Sequence, residues 1–201
     1  MHDIRYDEVH DEILMANTFA QAILVFRGGA NGEEPPIRLI QGPSTQLVDP
    51  DRVEVDPVHN EIFVLESEFI LVFPGNANGN VAPIRVIRGP DTRLKGTKAL
   101  SVDPVHNVLV ATVDNWNPRG SALVIFNRTD NGNVKPKAVI AGSNTGLRGL
   151  LEQVLVYPPK GLILTVLSGS GGDEDAVPRR EIAVWNINDN GDTPPLVAAR
   201  H

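Results

Sequence analysis

The sequence predicts an all-β fold, a β-propeller with four blades of four antiparallel strands each. Three observations point there. The word VDPVHN occurs twice, at Val55–Asn60 and Val102–Asn107, inside a longer unit that recurs along all 201 residues. That unit returns every 47 to 54 residues, measured from Asp7 to Asp56, Asp103 and Tyr157. Its middle segments are apolar at consecutive positions. A period of about 40–50 residues holding four strand-like segments marks a propeller blade.

The blades are expected at about 3–47, 52–94, 99–147 and 154–201, the last copy being the weakest match. In the second copy the strands read as Arg52–Asp56, Glu61–Glu66, Phe69–Pro74 and Ala82–Arg88. Asp-Pro-x-His-Asn fits the turn between the first two. Aspartate suits the first turn position, proline fixes φ at the next, and asparagine tolerates a left-handed backbone. The third strand is registered by Phe26, Phe73, Phe126 and Trp185. An Asn-Gly pair follows in each copy, at Asn31-Gly32, Asn78-Gly79, Asn131-Gly132 and Asn190-Gly191, and reads as a hairpin signal before the fourth strand.

The middle strands decide between architectures. EIFVL, FILVF, VLVATV and LILTVL do not alternate, so both of their faces are buried. In a sandwich or barrel one face usually meets water or a cavity. In a propeller each sheet lies between two others, about 10 Å from each. RVEVD and PIRVIR alternate more, which suits axial and outer strands.

The unit "hydrophobic-x-V-D-P-x-x-N-x-I-x-V … I-x-V-F … N-G" resembles the NHL and YVTN type of propeller repeat, over the first three copies and loosely in the fourth. That resemblance implies the fold. The group includes binding scaffolds, lactonase-like hydrolases and a lyase, and the matched motifs are turns and core strands, so it implies no catalytic set.

Composition narrows the function. Net charge is −7, which argues against nucleic acid or an anionic membrane as the main partner. The absence of cysteine removes disulfides, thiol nucleophiles and Cys-ligated zinc. No apolar run reaches membrane length and no signal peptide opens the chain, yet a soluble, extracytoplasmic protein is the expectation. Eighteen glycines and sixteen prolines fit many short strands joined by many turns.

The residues with chemical potential have structural readings. His10, His59 and His106 occupy one place in three copies, with Lys160 in the fourth. A shared metal needs ring nitrogens within about 4 Å of one another, whereas equivalent residues of adjacent sheets stand about 10 Å apart, so they are turn residues. Asn186-x-Asn188-x-Asn190-Gly191-Asp192 has a calcium-loop rhythm, but Val197 stands where the bidentate glutamate belongs. Asn127-Arg-Thr129-Asp-Asn131-Gly132 fails likewise at Ala138. No Gly-x-Ser-x-Gly elbow exists, and Ser168–Gly172 runs into Asp173-Glu174-Asp175, which repels phosphate. Neither a cofactor nor a metal site is expected.

The repeats differ in one place. From the turn aspartate, or Tyr157 in copy four, to the third-strand aromatic the chain takes 17 residues in copy two and 19 in copy one, but 23 in copy three and 28 in copy four. The inserts, VDNWNPRGS and SGSGGDEDAVPRRE, belong to neighbouring blades and leave the same face of the disc. They carry Trp116, Arg119, Asp173, Glu174, Asp175, Arg179 and Arg180, a set suited to recognition of an unknown protein or small molecule. The leading reading is a non-catalytic binding scaffold. The alternative is a lactonase-like hydrolase or lyase with an axial metal.

Four blades are the lower limit for a closed propeller. The chain closes on itself with wide wedges, or forms a half-ring whose end sheets each show an apolar face. Such faces would be built from residues such as Ile13, Met15, Ile163 and Val184, or from their opposite-face neighbours. The half-ring is preferred, with a homodimer completing an eight-bladed disc.

Overall fold

Each copy folds into one sheet with its strands in chain order. The computed structural model describes residues 3–117, 120–148, 150–168 and 180–200. The first blade is β1 (Asp3–Asp7), β2 (Glu12–Asn17), β3 (Ala22–Arg27) and β4 (Arg38–Gln41). The second is β5 (Arg52–Asp56), β6 (Glu61–Leu65), β7 (Ile70–Pro74) and β8 (Arg85–Ile87). The third is β9 (Leu100–Asp103), β10 (Val108–Asn117), β11 (Gly120–Asn127) and β12 (Ala138–Ile140). The fourth is β13 (Val154–Tyr157), β14 (Leu162–Ser168), β15 (Arg180–Asn186) and β16 (Val197–Arg200). All pairings are antiparallel, and β1, β5, β9 and β13 pack in succession as the axial strands.

Apolar residues on both faces of the middle strands fill the spaces between blades. Leu14, Ile23 and Val25 of the first sheet meet Ile62, Leu71 and Phe73 of the second. Phe63, Val72 and Ile87 of the second meet Leu109, Val124 and Phe126 of the third. Val110, Leu123 and Ile125 of the third meet Val156, Ile163 and Trp185 of the fourth. Each such side chain contributes about 1.5–3 kcal/mol by leaving water.

The repeated aspartates close their turns as the sequence implies. Asp103 Oδ1 accepts the Val105 and His106 N–H groups at 2.9 and 3.0 Å, while Oδ2 holds His106 Nδ1 at 2.7 Å. Asp56 does the same for His59 at 2.9 and 2.8 Å. The last turn residue is left-handed in all four copies, at Asp11, Asn60, Asn107 and Gly161. Asp103→Ala is therefore expected to cost about 0.5–2 kcal/mol, as lost caps do. Chemical denaturation measures this, and a loss without change in unfolding slope is the expected pattern.

The Asn-Gly pairs do something different from a short hairpin. The β7-to-β8 connection runs from Gly75 to Ile84, far longer than two residues. The left-handed Gly79 turns its backbone outward and bridges the previous blade. Its N–H donates to Leu39 C=O at 2.7 Å, and its C=O accepts Gln41 N–H at 3.2 Å. Gly132 and Gly191 form the same bridge to Ile87 and Ile140. The flanking side chains add to it: Asn78 Oδ1 accepts Leu39 N–H, and Asn80 Oδ1 accepts Ser44 N–H. At the next joint Asn133 Oδ1 occupies the space where a Cβ on Gly89 would stand, and Gly89 has φ +133°. Only glycine fits there.

Three such joints occur among the described residues. Among the described residues no apolar cluster and no Asn-Gly bridge joins the fourth blade to the first, and β13 does not pack on β1 as the other axial strands pack on one another. Among the described residues the chain is therefore open between its fourth and first blades. Ile13, Met15 and Val184 lie on its outward end faces, half-buried. Ile163 does not: it is fully buried against the third blade, because Trp185 opposite it in the sheet turns inward.

Candidate functional site

Three surfaces compete for function: the two faces of the disc and its axis. On the face formed by the aspartate turns, the polar residues hold one another. Arg38 forks onto Glu12 at 2.8 and 2.7 Å and donates to Gly75 C=O in the next blade at 2.8 Å. Arg85 forks onto Glu61 identically. Arg128, from the third blade, reaches back to the same Glu61 carboxylate and lies 3.3 Å from Asp56. The calcium-like stretches are ordinary turns, in which Asp130 and Asp189 accept the Asn127 and Asn186 N–H groups at 2.9 and 2.8 Å. The three histidines each serve their own aspartate, at 2.7–2.8 Å.

At the axis, Arg5 Nε donates to Glu54 at 2.8 Å and its Nη1 to Asp3 at 2.8 Å. Arg52 donates to the Lys98 and Glu152 carbonyls, at 2.9 and 3.4 Å. Asp3, Arg5 and Arg52 edge a cleft of about 290 Å³ whose apolar wall is the outward face of the fourth blade, Leu155, Leu164, Val166 and Ile182. The sequence hinted at this axial cluster only as alternation in the first strands.

Burial pushes the Glu54 carboxyl up to about 7, against the pull of Arg5. A raised folded-state value means that the folded chain binds this proton more tightly than the unfolded chain. Its stability contribution is full below about 4.5 and is lost as pH rises through 7. Relative to Glu54→Gln, the wild type is expected to gain roughly 2–3 kcal/mol between pH 8 and 4.5. Thermal melts of both proteins across that range check it, and a flat difference would show that Arg5 outweighs burial.

An axial metal does not fit these residues. The guanidinium of Arg5 already stands between the Asp3 and Glu54 carboxylates. Among the described residues no three His, Asp or Glu side chains converge on a common point.

The opposite face carries the second-to-third strand turns. There β10 and β11 extend past a break in register after Val113 to pair again at Asn117 and Gly120. Trp116 lies in that extension and Arg180 opens β15. Arg119, Asp173, Glu174, Asp175 and Arg179 lie outside the described residues. Two features of this face were not singled out in the sequence. Phe19, at the tip of the β2–β3 turn, is 91% exposed. A groove of about 600 Å³ runs between Ser67, Arg88, Arg93 and Lys95, with Arg88 stacked 3.6 Å above the Phe69 ring. The sequence signal for Phe19 was an aromatic inside a polar turn, TFAQ, slightly longer than its equivalent in copy two.

No protein-family model matches the chain, and no curated protein is similar to it. Solved structures are, β-propellers among them. Hydrazine synthase from Kuenenia stuttgartiensis superposes with a TM-score of 0.68 at 11% identity, over 99% of this chain and 48% of that one. The WD40 domain of coronin from Toxoplasma gondii gives 0.62 at 13% identity, over 100% and 47%. A candidate 6-phosphogluconolactonase from Bacteroides uniformis gives 0.61 at 14% identity, over 92% and 50%. At these identities the likeness is one of fold. The chain spans about half the length of the solved chains it matches.

Proposed function

We propose that this chain is a non-catalytic β-propeller scaffold built from NHL/YVTN-type repeats, working outside the cytoplasm. Its partner surface is the face bearing the lengthened hairpins of the third and fourth blades. One contrast carries the reading. On the turn face the repeated charged residues form ion pairs within and between blades, as Arg85, Glu61 and Arg128 do. On the other face the repeat breaks, with the extended β10–β11 hairpin, the exposed Phe19 and the Arg88 groove. Scaffolds place recognition in such loops, and exposed aromatics with arginine anchor interfaces. Among the described residues no helix is long and apolar enough to cross a membrane.

The test is to shorten 114–121 and 168–180 to the second-copy length. Stability should change little, since long surface loops close at small entropic cost. A partner or ligand recovered with the wild type should lose affinity for the shortened chain. Undiminished binding would overturn this surface. Lactone hydrolysis above the spontaneous rate, lost on Arg5→Ala, would replace the scaffold with an axial enzyme.

A further inference from the structure

We propose that two copies of this chain dock as half-rings. The outward face of each first blade seats on the outward face of the other chain's fourth blade, closing an eight-bladed ring. This rests on the joints within the chain and is independent of the partner surface above.

The first argument is equivalence. Each internal joint sets one sheet face against the face of the next blade. In the second, third and fourth blades the receiving face centres on Phe73, Phe126 and Trp185, all fully buried. The first blade has the same face, with Phe26 at the centre and the row Ile4, Met15, Leu24, Leu39 across it. Among the described residues no other blade packs on it, and Ile4 and Tyr6 are 55% and 58% exposed. The fourth blade presents the complementary face, with Leu155 and Ile182 57% and 45% exposed. Ile182 stands where Ile23, Ile70 and Leu123 are fully buried by the next blade.

The second argument is the Asn-Gly bridge. Gly79, Gly132 and Gly191 each bond the residue pair around the fourth strand of the preceding blade. Asn31-Gly32 has the same left-handed glycine, and among the described residues it bridges to nothing; Asn31, Gly32 and Glu33 are exposed. The register sets its counterpart at Ala198 of β16, equivalent to Leu39, Val86 and Val139. The chain thus carries both halves of one joint on its two ends.

The occupant follows from this. A face shaped by the repeat to take a blade of this repeat is best matched by the fourth blade of a second copy, and a two-fold axis makes both joints at once. The size is consistent with this, because the four blades overlay about half of the coronin WD40 domain, a chain about twice as long. Exposed apolar sheet faces of this extent are rare on soluble monomers.

Sedimentation velocity at micromolar concentration tests the proposal. The wild type is expected to run as a single species of two chains. Leu39→Arg on one end face and Val197→Arg on the other should each give monomers with an unchanged circular dichroism spectrum. Asn31→Ala should weaken the dimer without touching the monomer fold. Val105→Arg, on an exposed turn away from both faces, should leave the dimer intact. A wild-type monomer would assign the two faces to another occupant and overturn the proposal. So would a dimer indifferent to both arginine variants, or a ladder of growing oligomers.

Discussion

Glu61→Ala is expected to cost about 3–5 kcal/mol, because it breaks a shared, largely buried ion pair rather than a surface one. Glu61 accepts both nitrogens of the Arg85 fork and the Arg128 guanidinium from the next blade. The side chains of Arg85, Glu61 and Arg128 are 17%, 12% and 9% exposed. Without the carboxylate two arginines face each other, with Asp56 beside Arg128. Acid should reproduce part of the loss. Burial raises the Glu61 pKa, but the two arginines outweigh it and hold the carboxyl below its ordinary value. A lowered folded-state value gives stability that is present above about 4.5 and disappears as pH falls through the folded pKa. Denaturant titrations at neutral pH and near pH 3 measure both effects, and the variant should show a flatter acid limb than the wild type.

The second large effect separates two residues that the repeat makes equivalent. Phe73→Ala empties the joint between the first and second blades and is expected to cost about 3–5 kcal/mol. Phe26→Ala removes the same ring from a face with no blade against it in the chain. It should cost less than about 1 kcal/mol in the monomer and should abolish the dimer instead. Paired melting and sedimentation measurements on the two variants give the comparison. Equal destabilisation of a monomeric chain would mean that the first blade is covered from within.

Much of the arc was legible because its signals are local. VDPVHN encodes an Asp-capped turn, and its asparagine takes the left-handed position that the turn requires. The unbroken apolar runs of the middle strands encode burial on both faces, which Phe63 and Val64, adjacent and both fully buried, display directly. Asn-Gly reads only as a hairpin signal, since a pair of turn residues says nothing about the strand of another blade that its backbone reaches. The spacing from Phe26, Phe73 and Phe126 to Gly42, Gly89 and Gly142 is a constant 16 residues, and that signal marks the linker on which the next Asn-Gly turn lands. The axial cluster was harder. Asp3 and Arg5 share one strand but lie about fifty residues from Glu54, and they meet it only because the first strands of successive blades converge. Which face Ile163 takes, or whether its opposite-face neighbours line the end of the chain instead, stays open in the sequence because alternation is invisible in a run that is apolar throughout.

Amide hydrogen exchange at the four turn glycines tests most directly whether the blades of one chain, and of two, are joined by the same device. Gly79, Gly132 and Gly191 donate their N–H groups to a neighbouring blade at 2.7 Å and should exchange slowly. Gly32 is expected to be protected to a similar degree in the dimer and to exchange at an unprotected rate in the Leu39→Arg monomer. Rapid exchange at Gly32 in the wild-type dimer, or at the three internal glycines, would contradict it.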